Sequence, residues 1–244
     1  MQPTKSDARQ SGNLGGEKIA MQLDSNGLAH IMSVLTDLYS DPEEAVIREY
    51  STNAWDAHVE AGTTKPIEIY TPTALSPKFI VKDYGIGMSV EDIKEIYSKY
   101  GASTKRGTNE QTGMLGLGCK SALTYTNQFN IKAVKNGIKC LVSVSRDSSG
   151  AGTMEVLYEN PTTDPDGVEV IIPASNFGAF DKKVNNFFKY WKPGRVLVNG
   201  KEPQVPKHWE ITENIWLLMN DADNKSYISM GGVTYPIPYN ASLA

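Results

Sequence analysis

Arg48-Glu49-Tyr50-Ser51-Thr52-Asn53-Ala54-Trp55-Asp56-Ala57-His58 is the stretch on which the fold turns. Its flanks mark a helix. Asp41 is a candidate N-cap, Pro42 suits the first helical position, Glu44 completes a capping box, and Gly62 supplies a stop. At ~100° per residue, Glu49, Asn53 and Asp56 share one face, with Ala54 and Ala57 beside them. A core-facing stripe is apolar, and a solvated face carries more lysine, so an acid, an amide and a second acid in one row draw notice. Taken alone, the row still reads as a polar helix face.

Two further stretches change its weight. Asp83-Tyr84-Gly85-Ile86-Gly87-Met88 follows an apolar strand, Phe79-Ile80-Val81, and Gly113-Met114-Leu115-Gly116-Leu117-Gly118 comes later. In order, E-x3-N-x2-D-A, D-x-G-x-G-M and G-x2-G-x-G resemble the nucleotide-binding motifs of the GHKL ATPase superfamily, which includes gyrase B, the large heat-shock chaperone, sensor histidine kinases and MutL. A single short glycine pattern recurs by chance; an ordered set from Glu49 to Gly118 is far more specific. The resemblance implies an α/β (α+β) two-layer sandwich, the Bergerat fold. Its mixed, mainly antiparallel sheet carries helices on one face, with ATP between the helices and a lid.

The resemblance also implies roles. Glu49 matches the general base that orients and deprotonates water for attack on the terminal phosphate. Asn53 matches the Mg²⁺ ligand, a neutral amide oxygen suited to a hard ion that keeps waters and phosphate oxygens around it. Asp56 lies further along that face, near the nucleotide. Asp83 matches the carboxylate that accepts a hydrogen bond from the adenine amino group, where guanine presents a carbonyl. Gly85 and Gly87 let the chain turn under the base, and Met88 packs against its face. Gly113, Leu115, Gly116, Leu117 and Gly118 bring backbone N–H groups to the phosphates, with Lys120 at one end of the lid and Ser103, Thr104 and Lys105 at the other.

Within the superfamily the chain is similar to the bacteriophage rIIA-like rapid-lysis proteins. The likeness rests on Ala45-Val46-Ile47-Arg48-Glu49 running into Asn53-Ala54-Trp55-Asp56-Ala57-His58, on Leu75-Ser76-Pro77-Lys78-Phe79, on Gly116-Leu117-Gly118-Cys119-Lys120-Ser121-Ala122, and on Met230-Gly231-Gly232-Val233-Thr234-Tyr235-Pro236-Ile237. One departure stands out. Many superfamily members place a threonine after the glycine of a late strand, where it supports the adenine-binding aspartate. Here Gly167-Val168-Glu169-Val170 puts valine there, leaving Asp83 with water alone or with Thr153 as a substitute. A P-loop reading of Gly113 to Ser121 fails, because Cys119 separates the final glycine from Lys120 and no buried strand precedes it.

The bulk properties exclude other classes. At 244 residues the chain can bury a sizeable core; 40% hydrophobic and 21% charged residues are ordinary for a globular protein. A net charge of −4 and a pI near 5.5 argue against a dominant nucleic-acid surface. Cys119 and Cys140 imply no disulfide framework and point to a reducing cytoplasm, the host's if the chain is phage-encoded. His30, His58 and His208 are scattered, and no apolar run approaches the ~18 residues of a membrane span.

Residues 1–16 read as a polar, mobile tail, 17–192 as the ATP-binding domain, and 193–244 as the start of a second, transducer-like domain that is truncated. Lys18–Leu23 is a short edge strand, and Ser25 caps a helix with Leu28, Ile31, Met32, Leu35 and Leu38 on one side. Strands follow at Ile67–Tyr70 and Phe79–Lys82, with a helix start at Ser89 and Asp92. From Lys99 to Gly118 the periodicity gives way to glycine and small polar residues, a lid-like loop, and Gly118 opens a short helix through Leu123. Phe129–Val134 and Ile138–Val144 form a hairpin at Asn136-Gly137, joined by strands at Met154–Tyr158 and Val168–Ile172. Phe177, Phe180, Val184, Phe187 and Phe188 then make a helical stripe, and short strands follow at Arg195–Val198, Ile215–Met219 and Tyr227–Ser229. The leading expectation is an Mg²⁺-dependent ATPase taking ATP to ADP, its site completed by a homodimer partner or a downstream domain. The alternative is an ATP-sensing module with little turnover. A sensor kinase would need a phosphoacceptor histidine in a dimerising helix, and neither His30 nor His208 sits in such a setting.

Overall fold

Alternation of apolar and polar residues along successive strands builds one half-covered sheet. The computed structural model describes residues 41–98, 121–148, 152–212, 215–218, 227–230 and 233–236. Over these the order is α1 (Pro42–Ala61), β1 (Ile67–Tyr70), β2 (Lys78–Lys82), α2 (Val90–Ser98), α3 (Ala122–Tyr125), β3 (Gln128–Lys135), β4 (Ile138–Arg146), β5 (Gly152–Pro161), β6 (Gly167–Pro173), α4 (Phe177–Phe188) and β7 (Val196–Val198). The seven strands form one sheet in the order β5-β4-β3-β6-β2-β1-β7. Every pairing in it is antiparallel except β1 with β7. The expected two-layer α/β architecture is therefore observed.

One face of the sheet is apolar and faces the helices. Ile67, Ile69, Phe79, Val81, Phe129, Ile131, Val170 and Ile172 are buried there in one cluster with Val46, Ile47, Tyr50 and Ala54 of α1, Ile93 of α2, and Phe180, Val184 and Phe188 of α4. The stripe expected for α4 thus closes the core. The opposite face carries a row of alternating charge, Glu68, Lys82, Glu169 and Lys132, in register across β1, β2, β6 and β3. Lys132 Nζ lies 3.1 Å from Glu169 Oε2. A one-residue slip in any of these strands would turn its apolar side chains outward and carry its charged residue onto the apolar face, so both faces enforce one register.

Local signals account for the corners. Ser89 N–H donates to Asp92 Oδ2 at 2.8 Å and Asp92 N–H to Ser89 Oγ at 3.2 Å, both halves of a capping box at the start of α2. Asn136 and Gly137 take φ of 52° and 77°, the pair of positive values that a two-residue hairpin between right-twisted strands requires.

The sheet extends past the boundary expected between 192 and 193. The chain leaves α4 and returns to the edge, where β7 pairs with β1 and Ile67 N–H donates to Arg195 O at 2.9 Å. Two separate hairpins follow, β8 (His208–Thr212) with β9 (Ile215–Leu218) and β10 (Tyr227–Met230) with β11 (Val233–Pro236). The expected Lys18–Leu23 strand, the helix after Ser25 and the loop from Lys99 to Gly118 lie outside the described residues.

Candidate functional site

The polar row on α1 is held from both ends. Asp41 caps the helix, accepting from Glu44 N–H at 3.0 Å, and Pro42 occupies the first turn. Lys183 of α4 ties that end to the rest of the layer, with Nζ at 2.7 Å from Asp41 and 2.6 Å from Glu43. Gly62 ends the helix in the left-handed conformation. Between the caps, Tyr50 and Ala54 face the core, while Glu49 and Asn53 remain partly exposed and Asp56 is buried. The Arg48 guanidinium grips Glu49 Oε1 through Nη2 at 3.1 Å and Nε at 3.3 Å.

The Asp83 loop is built against the same helix. β2 ends at Lys82, and Asp83 N–H makes a last inter-strand bond to Val168 O at 2.8 Å. The Asp83 side chain then turns inward, 7% exposed, and its Oδ1 accepts from Gly85 N–H at 2.9 Å and Val168 N–H at 3.2 Å. Burial pushes this carboxyl up to about 7, against the pull of those two donors. Close backbone approach fixes the loop in three places. A Cβ on Gly85 would lie 2.7 Å from Ala57 of α1, one on Gly87 1.8 Å from Val134 O, and one on Gly167 2.3 Å from Asp83 O. Gly87 also has φ +65°, a conformation that an L side chain disfavours. Met88 is half-buried and packs on the core. Eight residues at ~1.5 Å each put Glu49 about 12 Å along the helix axis from Ala57, where the Asp83 loop touches. A carboxyl that can accept from a flat polar group thus lies by the C-terminal part of α1, with an acid and an amide on the same helix toward its N-terminus.

Glu49, Asn53, Asp56, Asp83, Gly85, Gly87 and Met88 are accordingly brought to α1 and its neighbouring loop. Ser103, Thr104, Lys105, Gly113, Leu115, Gly116, Leu117, Gly118 and Lys120 lie outside the described residues. Thr153 does not substitute for the missing threonine. It sits on β5 at the far edge of the sheet, its Oγ1 3.1 Å from Ser145 Oγ on β4, with β4 and β3 between it and β6. The support that reaches Asp83 from that strand is the Val168 backbone N–H, which any residue but proline supplies at that position.

His58 is the residue that reading the sequence missed. Its ring is fully buried at the end of α1, Nε2 accepting from Tyr84 N–H at 2.7 Å and Nδ1 lying 2.9 Å from Lys65 O. A donor N–H on one side and a carbonyl on the other require the neutral Nδ1–H tautomer, and burial pushes the imidazole below its ordinary range. Tyr84 is held in turn by Glu68, which accepts from its hydroxyl at 2.7 Å, and by Lys82 and Lys65 over its ring at 4.7 and 4.9 Å. The only available signal was the position of His58 beside Asp56-Ala57.

An open groove of about 760 Å³ between α4 and residues 198–206, lined in part by Asp181, Asn199 and Lys201, contains none of these residues. Among the described residues no three His, Cys, Asp or Glu side chains converge as a metal-ligand set, and no helix is long and apolar enough to cross a membrane. A family model described as histidine kinase-, DNA gyrase B- and HSP90-like ATPase matches residues 39–171, from the residues before α1 into β6. No curated protein matches the chain.

Proposed function

This chain belongs to the histidine kinase-, DNA gyrase B- and HSP90-like ATPase family, and from that premise we propose that it binds ATP with Mg²⁺ along α1 and hydrolyses it to ADP. One observation carries the reading: among the described residues the buried Asp83 carboxyl is pinned through Oδ1, while Gly85 packs directly on the helix that bears Glu49 and Asn53. The amino group of adenine donates to Asp83 Oδ2, and the carbonyl of guanine at that point would meet another acceptor. Gly85 and Gly87 keep the floor under the base free of side chains, and Met88 supplies an apolar contact.

At the phosphate end Asn53 offers one neutral oxygen beside the Glu49 carboxylate, a donor set that fits Mg²⁺, which completes its shell with phosphate oxygens and water. The ion supplies charge neutralisation at the phosphates. Glu49 accepts the proton of the attacking water, and Asp56 orients groups further along the helix. Residues 99–118 act as the lid, through the backbone at Gly113, Gly116 and Gly118 and the side chain of Lys105, with Lys120 following just beyond it. A homodimer partner or the segment after β7 completes the site. The likeness to rIIA-like phage proteins rests on the sequence motifs alone and suggests the host cytoplasm as the setting.

A second reading, an ATP-sensing module with little turnover, is favoured by the Arg48 guanidinium on Glu49, which occupies one of the two carboxylate oxygens. Calorimetry with ATP and GTP, followed by phosphate release at saturating ATP, tests both. Binding of ATP over GTP with turnover supports the ATPase, binding without turnover supports the sensor, and equal or absent binding overturns the adenine site.

A further inference from the structure

The end of β2 leaves a polar problem that one side chain solves. Asp83 N–H makes the last strand bond, so Tyr84 N–H emerges beyond the ladder against α1. On the other side of the imidazole, the turn after the helix presents Lys65 O. His58, buried between them, donates to one and accepts from the other. No aliphatic residue of that size could do either, and an imidazolium would set Nε2–H against Tyr84 N–H at 2.7 Å. The bond matters for Asp83 because the loop has little slack: Gly85 lies on Ala57, the residue before His58, and Gly167 lies on Asp83 O.

Taking the nucleotide site of the preceding subsection as given, we propose that His58 is the positioning residue of the adenine end, its neutral ring locking the Asp83 loop to the helix that carries Glu49 and Asn53. The lock sets the separation between the group that reads the base and the groups that act on the phosphates. It also makes nucleotide affinity depend on the protonation of a residue that touches no ligand. The groups around the ring are Lys65 on the following turn, and Tyr84 with Glu68 and Lys82 around it; Trp55 lies at 6.2 Å, itself stacked by Arg195. Asp83, the residue before Tyr84, titrates as well, so bulk affinity against pH does not isolate His58.

The test is a nitrogen-15 NMR titration of the His58 imidazole in the full chain, with and without a saturating non-hydrolysable ATP analogue. The ring should be the neutral Nδ1–H tautomer, and the analogue should lower its protonation midpoint by roughly one pH unit, the reciprocal of a roughly tenfold loss of affinity on protonation. In parallel, calorimetry at pH 8 should find His58→Leu about tenfold weaker for ATP, with a narrowed preference over GTP. His58→Gln, whose amide can accept and donate without titrating, should recover most of both. Should His58→Leu not fold, the wild-type midpoint decides. Failure of the wild type to bind ATP would overturn the nucleotide site itself. ATP binding with an unmoved His58 midpoint would overturn the role of His58 alone, as would a His58→Leu protein of unchanged affinity and selectivity that merely melts earlier.

Discussion

Replacing Asp83 by Asn should make the chain more stable and worse at binding, and the two effects should separate with pH. In the folded chain burial raises this carboxyl from 3.8 to about 7. At ~1.36 kcal/mol for each tenfold change in proton affinity, holding it ionised costs about 4 kcal/mol. The sign follows from proton counting. Below about pH 4 the group is protonated in both states and contributes nothing. Between there and pH 7 the folded state binds more protons than the unfolded, so wild-type stability falls as pH rises, and above 7 the loss is complete. Asparagine keeps an oxygen for Gly85 N–H and Val168 N–H but carries no charge, so Asp83→Asn should gain up to about 4 kcal/mol at pH 8 and almost nothing at pH 4. Its amide can present N–H groups where the adenine amine also donates, and loss of a charge-assisted bond of about 1.5–3 kcal/mol should weaken ATP roughly ten- to a hundredfold. Urea unfolding at both pH values and calorimetry at pH 8 measure the pair. A stability gain independent of pH would refute the burial argument, and unchanged ATP affinity in the folded variant would refute the adenine assignment.

Glu49→Gln should retain ATP binding within a few-fold while abolishing phosphate release, measured at saturating ATP; release at the wild-type rate would remove Glu49 from the chemistry. Gly87→Ala should cost ~3 kcal/mol or more, because its Cβ would meet Val134 O at 1.8 Å in a left-handed conformation, and a thermal melt within about 1 °C of wild type would contradict that packing. Tryptic cleavage at Lys105 and Arg106 should slow most with a non-hydrolysable ATP analogue, less with ADP and hardly at all with GTP. Equal first cuts in all states, mapped by mass with binding confirmed, would remove residues 99–118 from any nucleotide response.

What the sequence disclosed was chiefly local. The Asp41 cap, the Ser89–Asp92 capping box and the Asn136-Gly137 turn each depend on neighbours within a few residues, and each is found where it was expected. The face shared by Glu49, Asn53 and Asp56 follows from helical geometry alone. Long-range pairing was a different matter. Nothing in Gly167–Pro173 says that it lies between β2 and β3, and nothing in Val196–Val198 says that it adds in parallel to β1. The Thr153 substitution failed for that reason, since its strand lies at the opposite edge. His58 escaped notice because its meaning comes from Tyr84, 26 positions on, and from a carbonyl in a turn.

The insertion of β6 has a consequence for how the protein is made. β2 and β3 join one sheet only through β6, which lies between them, and Val168 N–H reaches Asp83 across 85 positions of chain. As synthesis proceeds from the N-terminus, α1 and the β1–β2 pair can form early, but β2 must wait with one edge open to whatever strand it meets first. If Asp83 reads the base as proposed, nucleotide meets its finished partner only after β6 has paired. It can select only chains whose last central strand has already arrived, which makes ATP a late inspector of folding and leaves the early half of the chain reliant on other protection against mispairing.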